Sequence, residues 1–173
     1  VVWLGTRRGL EARVVPAESI AIEWLSIGGL RGKGLATLLA APFRLLFALW
    51  QAMQIMRKHQ PAVVVGLGGF VTGPGGLAAW LLRRPLIIHE QNAVAGFTNR
   101  CLARLARKVL VAFPGSFGSQ VVTQVIGNPV RQEISAVALP ELRYPARTGA
   151  LRVLILGGSQ GAHAINALIP KVV

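Results

Sequence analysis

The sequence predicts an α/β fold: a Rossmann-like parallel sheet with helices on both faces, then the start of a second Rossmann-like unit. Three observations carry this expectation. Short, mainly apolar runs recur at 1–4, 62–65, 86–88, 108–111 and 151–156, broken only by Lys108 and Arg152. Such runs mark strands buried on both faces, as in parallel sheets. Helical stretches alternate with them, and several runs empty into glycine-rich turns.

In chain order, residues 1–4 read as a strand leaving through Gly5-Thr6, 10–15 as a short helix or turn ended by Pro16, and 20–25 as the next strand. Residues 28–34 hold four glycines with Arg31 and Lys33, a loop suited equally to an exposed linker or an anion contact. A long helix is expected over 35–59, with a break at Pro42. Beyond the proline, Leu45, Leu49, Met53 and Met56 form one stripe, and Phe43, Leu46, Phe47 and Trp50 form a second beside it. A membrane span is weighed against Arg44, which would cost about 2.5–3.5 kcal/mol at its centre, and against Gln51, Gln54 and Pro42. The reading favoured here puts one face on the core and the other on a membrane surface. A helix buried on both faces is the alternative.

The strand at 62–65 feeds a glycine-rich loop over 66–76, with its helix over 75–82. The strand at 86–88 ends on His89-Glu90-Gln91-Asn92, and a basic helix follows over 98–107. A strand at 108–111, a loop at 113–119 and a strand at 121–126 complete a first domain over 1–128. Weak periodicity makes 129–150 a linker, and 151–173 open a second domain with a strand, GGSQGA and a helix. The chain opens directly on a strand and stops within a helix, so both ends read as cut.

Composition narrows the partners. The 173 residues carry 19 Lys plus Arg against 6 acids, a net charge of +13, and no Asp. Such a balance calls for an anionic partner, or reflects a generally basic proteome. Mean hydropathy is +0.53. Cys101 is the single cysteine, so no internal disulfide can form. Metal chemistry is not expected: Asp-x-Asp is impossible, and His59, His89 and His163 lack ligand spacing. Nucleic acid is not expected either, since no recognisable module accompanies the cations.

Three places suit chemistry. The loop at 66–76 matches neither a Walker motif nor G-x-G-x-x-G, yet its glycines can bring backbone N–H groups to a phosphate. A tight strand–helix crossing is the bland alternative. The HEQN block lies where open α/β sheets bind ligands. There His89 reads as a base, a hydrogen-bond donor or a structural histidine, and Glu90 as a ligand for a sugar hydroxyl. The turn holding Ser159 and Gln160 opens a helix and suits a diphosphate, with Arg131 as a further cation.

GLRGKG, GGFVTGPGGLAAW, HEQNAVAGFTN, GNPVR and GGSQGA, in this order, resemble the MurG family of bacterial GT-B glycosyltransferases. The resemblance spans essentially the whole chain. It implies a GT-B N-terminal domain lacking its first strand, joined to the start of the second. It implies inverting transfer of GlcNAc from UDP-GlcNAc to the muramyl C4 hydroxyl of lipid I, giving lipid II, without a cofactor or required metal. By motif, Asn92, Arg131, Ser159 and Gln160 fall at donor-binding positions, with His89 and Glu90 in support. Gly68, Gly69, Thr72, Gly73, Gly75 and Gly76 fall in a loop facing the lipid diphosphate. Phe43, Leu46, Trp50 and Trp80, with Arg83, Arg84 and Arg104, fall in a patch facing an anionic membrane, which implies a peripheral place on the cytoplasmic face of the plasma membrane. The family's first glycine loop, GGTGGH, with its candidate general-base histidine, has no counterpart in these residues. The 173 residues alone are therefore expected to be inactive. Another GT-B transferase, or a membrane-surface module without catalysis, is the runner-up.

Overall fold

The computed structural model describes residues 1–28, 40–145, 147–150, 152–156 and 163–171. The chain divides into two compact units, Val1–Pro129 and Val130–Val173.

In the first unit every strand pairing is parallel. Strands β1 (Val2–Gly5) and β2 (Ala21–Trp24) form one sheet, with Trp3 opposite Ile22. Strands β3 (Val64–Gly66), β4 (Leu86–Glu90), β5 (Lys108–Val111) and β6 (Gln124–Val125) form a second, in sequence order. The strand expected at 121–126 shortens to Gln124 and Val125, which pair with Leu110 and Val111 of β5.

Helix α1 (Glu11–Ala17) follows β1 and runs through Pro16 instead of ending there. Helix α2 (Ala41–His59) carries Pro42 in its first turn, where the missing N–H costs nothing. Residues 29–39, which hold the expected basic loop and the expected helix before Pro42, lie outside the described residues. Arg57, Lys58 and His59 occupy its last turn, favourable to the helix dipole. Lys58 and His59 both reach Glu23 of β2 at 2.7 Å.

The two stripes of α2 separate cleanly. Its fully buried seam is Ala41, Ala48, Ala52 and Met56, and Leu49 and Met53 pack beside it. Leu45 departs from its expected stripe and is exposed. The second stripe faces out, which rules out a helix buried on both faces: Phe43 is 76% exposed and Leu46 63%. Small alanines let α2 sit close on its neighbours, so bulk is not needed at the seam.

Helix α3 spans Gly69–Leu81. The expected loop at 66–76 is therefore a turn of three residues followed by helix. Tertiary contact explains the glycines. A Cβ on Gly75 would stand 3.1 Å from Leu4 Cδ2, and one on Gly76 only 2.6 Å from Leu102 Cδ1. These glycines let α3 lie tightly against β1 and α4 (Phe97–Leu102). The basic helix expected over 98–107 ends at Leu102, leaving Arg104 and Arg107 in the connection to β5. The core gathers Leu25, Ala52, Met56, Ala78, Ala79, Leu86, Ile88 and Leu102.

The second unit contains α5 (Gln132–Ser135), α6 (Pro140–Arg143), α7 (His163–Leu168) and a 3₁₀ turn at Ile169–Lys171. The strand expected at 151–156 is not formed over the described residues 152–156. A strand needs a hydrogen-bonding neighbour, and no other strand lies in this unit among the described residues.

Candidate functional site at the strand ends

The C-terminal ends of β3 and β4 carry the predicted chemistry of the first unit. Strand β4 runs two residues further than expected and takes in His89 and Glu90. Both are buried, 5% and 2% exposed. Burial of a carboxylate demands partners. Glu90 Oε1 accepts from the backbone N–H of Asn92 at 3.0 Å and from its Nδ2 at 2.9 Å. Oε2 accepts from Gly96 N–H at 3.0 Å and Asn99 Nδ2 at 2.9 Å. Burial pushes the Glu90 carboxyl up, but these four hydrogen bonds outweigh it and hold the group below the usual carboxylate value. Glu90 is thus the internal anchor of the turn at 91–96, and its oxygens are engaged by protein instead of facing a sugar hydroxyl.

His89 has a similarly structural setting. Its Nε2 lies 3.0 Å from the Gly127 carbonyl. Asn128 Nδ2 donates to the Gln91 carbonyl at 3.2 Å, and Ala95 N–H to the Ser116 carbonyl at 2.9 Å. Three loops are thereby laced together around the end of β4. Asn92, by contrast, is exposed. Its amide nitrogen is committed to Glu90, which leaves its carbonyl oxygen available at the surface.

The second component is the turn at Gly66-Leu67-Gly68. Gly68 has φ 86° and Gly69 φ 80°, conformations that side chains with a Cβ rarely adopt. They swing the chain from β3 into the N-terminus of α3, whose first N–H groups lack helical partners. Thr72 Oγ1 donates to the Gly68 carbonyl at 2.6 Å and closes this turn. Gly68, Gly69, Thr72, Gly75 and Gly76 share the side of this turn and of α3 that faces β1 and β3. Gly73 points elsewhere, towards Thr98.

Asn99 is the residue that sequence reasoning missed. It is 1% exposed. Its Nδ2 donates to Glu90 and, at 3.3 Å, to the His89 carbonyl, while its Oδ1 lacks a partner. It also lies against Gly68, where an added Cβ would stand 3.4 Å from Nδ2. One buried amide thus joins the two halves of the site. Its signal in sequence is its place at the end of the HEQNAVAGFTN motif.

The predicted surface patch is present in part on α2. Phe43, Leu46 and Trp50 are exposed, and Phe47 stacks on Trp50 with ring centroids 5.7 Å apart. Trp80, near the end of α3, is 49% exposed. Arg83 and Arg104 are exposed, whereas Arg84 is half-buried and bonded to Gln60. Among the described residues no helix is long and apolar enough to cross a membrane. Among the same residues no cluster of three metal-ligating side chains occurs. Arg131 lies exposed at the start of α5; Ser159 and Gln160 lie outside the described residues.

The parallel α/β unit thus carries a glycine turn at the end of β3 and a laced polar turn at the end of β4. The chain belongs to glycosyltransferase family 28, whose N-terminal domain matches residues 1–111. It is 58% identical over 171 residues to the Nitrosococcus oceani protein named UDP-N-acetylglucosamine–N-acetylmuramyl-(pentapeptide) pyrophosphoryl-undecaprenol N-acetylglucosamine transferase, covering 99% of this chain and 48% of that one. The protein of the same name from Alkalilimnicola ehrlichii is 58% identical over 170 residues, covering 98% and 47%. The crystal structure of Acinetobacter baumannii MurG superposes with a TM-score of 0.79 at 41% identity, covering 98% of this chain and 47% of that one. The chain therefore has the fold of the corresponding part of a GT-B transferase and spans about half the length of the curated relatives it matches.

Proposed function

We propose that these residues form the acceptor half, and the beginning of the donor half, of an inverting transferase. It moves GlcNAc from UDP-GlcNAc to the muramyl C4 hydroxyl of lipid I and yields lipid II for peptidoglycan. The carrying observation is the 58% identity to transferases of that name over 171 residues. The geometry supports this reading. The α3 N-terminus, with Gly68, Gly69 and Thr72, suits the lipid diphosphate by its free N–H groups and dipole. The Glu90 clamp presents Asn92 to the donor sugar. Arg131, Ser159 and Gln160 serve the UDP-sugar, and stabilisation of the departing diphosphate by helix N-termini needs no metal or cofactor.

The enzyme works as a peripheral protein on the cytoplasmic face of the plasma membrane. The exposed apolar face of α2 supports this, because Phe43, Leu46, Phe47 and Trp50 are a contiguous greasy surface on a helix already packed on its other side. The test is mass spectrometry of lipid I incubated with UDP-GlcNAc and the full-length protein. A product heavier by one N-acetylhexosamine is expected, still formed in the presence of a chelator. No such product would overturn the reading.

A further inference from the structure

The Asn99 amide is locked by its partners. Its Nδ2 donates to two acceptors, Glu90 Oε2 at 2.9 Å and the His89 carbonyl at 3.3 Å. Turning the amide over would set Oδ1 against a carboxylate and a carbonyl, so its orientation is fixed. Oδ1 is the atom left over, buried and without a partner among the described residues. Both ends of the amide lie against the glycine turn: a Cβ on Gly68 would stand 3.4 Å from Nδ2 and 3.8 Å from Oδ1. The helices are also packed too closely to shift independently. Thr98 and Leu102 of α4 lie against Gly73 and Gly76 of α3, where added Cβ atoms would stand 3.7 Å and 2.6 Å from them. A displacement of the turn therefore presses on Asn99, and Asn99 bears on the carboxylate that orients Asn92.

We propose that Asn99 is a positioning residue that couples the binding of the two substrates, a role that rests on the transferase reading above. A buried acceptor without a donor is unfavourable, so the arrangement with Oδ1 unmet is stabilised by whatever brings it a hydrogen. An acceptor substrate seated on the α3 N-terminus fixes the turn at Gly68 and supplies that hydrogen, through a hydroxyl or a water held with it. The amide then holds Glu90, and with it the turn at 91–96, in the arrangement that presents Asn92 to the donor sugar. The acceptor thus favours one arrangement over the others, which is what a shift of binding affinity requires. Linkage makes the effect reciprocal: UDP-GlcNAc raises the affinity for the acceptor by the same factor.

The experiment measures UDP-GlcNAc binding to the full-length protein by calorimetry. It is done with and without a saturating short-chain lipid I whose C4 hydroxyl is replaced by hydrogen, so that no transfer occurs. In the parent this acceptor should tighten UDP-GlcNAc about tenfold. It should also slow hydrogen exchange at the Asn92 and Gly96 amides, both bonded to Glu90. Asn99→Ala should abolish the tightening. An amide that serves only the fold would, when removed, lower the thermal midpoint and weaken each substrate alone, yet leave the tightening in place; that result would overturn the proposal. So would an absence of tightening in the parent, which decides the matter without a variant if Asn99→Ala does not fold. Independent binding by a parent that still transfers GlcNAc to lipid I overturns the coupling alone, whereas a parent that transfers none overturns the reading on which it rests.

Discussion

Asn99 Nδ2 donates to Glu90 Oε2 at 2.9 Å, and the two residues are 1% and 2% exposed. This pair fixes the end of β4 and the turn that carries Asn92. Glu90→Ala would remove the acceptor of the Asn92 and Gly96 N–H groups and leave the buried Asn99 amide short of a partner. We expect a loss of about 3 kcal/mol, since each unsatisfied buried group costs about 1–3 kcal/mol and relaxation recovers part. Glu90→Gln keeps one acceptor and should lose less. Urea unfolding at neutral pH measures both; a Glu90→Ala midpoint equal to the parent would contradict the clamp.

The same carboxylate makes stability depend on pH. Its folded pKa lies below the ordinary 4.5. A depressed folded pKa contributes stability that is fully present above the unfolded value and is lost as pH falls through the folded one. Glu23, held down by Lys58 and then His59, and Glu11, held down chiefly by the Thr6 N–H, act in the same direction. Urea midpoints should therefore be flat above about pH 5 and fall below it, and the fall should be shallower in Glu90→Gln. An equally steep fall in that variant would assign the acid sensitivity elsewhere.

Gly76→Ala should destabilise by about 1–3 kcal/mol, the usual cost of overpacking, because its Cβ would come 2.6 Å from Leu102 Cδ1. Leu102→Ala alone should cost about 2–5 kcal/mol. The two together should cost less than their sum, because each relieves the other. Strict additivity in thermal unfolding would contradict the contact.

That contact also shows where the sequence stops being legible. Apolar runs marked β1, β3 and β4 well, because consecutive apolar residues bounded by glycine or polar turns leave a local signature. The α3 start did not, because each helical glycine costs about 1 kcal/mol relative to alanine and so many together read as loop. Leu4 and Leu102 reverse that preference from distant positions. The structural anchoring of His89 and Glu90 was not legible, because their partners, Gly127 and Asn99, lie 38 and 9 residues away. Residues 152–156 read as a strand from composition alone, while strand structure depends on a neighbour. The outward stripe of α2 was legible because helical spacing is local, although Ala48 and Ala52, not Leu45, form the seam.

Phe47→Ser with Trp50→Ser should reduce binding to anionic vesicles more than tenfold, since each large apolar side chain contributes about 1.5–3 kcal/mol when buried. Both rings are half-exposed and stack on each other instead of on the core, so the unfolding midpoint should move little. Undiminished flotation with phosphatidylglycerol vesicles would remove α2 from the membrane contact.

The clamp matters only if the turn it holds serves the reaction, and Asn92 tests this. It is exposed, yet its amide is oriented by Glu90. The decisive measurement is kcat/KM for GlcNAc transfer from UDP-GlcNAc to lipid I by full-length Asn92→Ala protein, alongside its thermal midpoint. We predict a fall of about 10- to 100-fold, the loss of one strong substrate hydrogen bond, with stability changed by less than about 1 kcal/mol. An unchanged kcat/KM in a folded variant would contradict the assignment of this turn to the donor sugar.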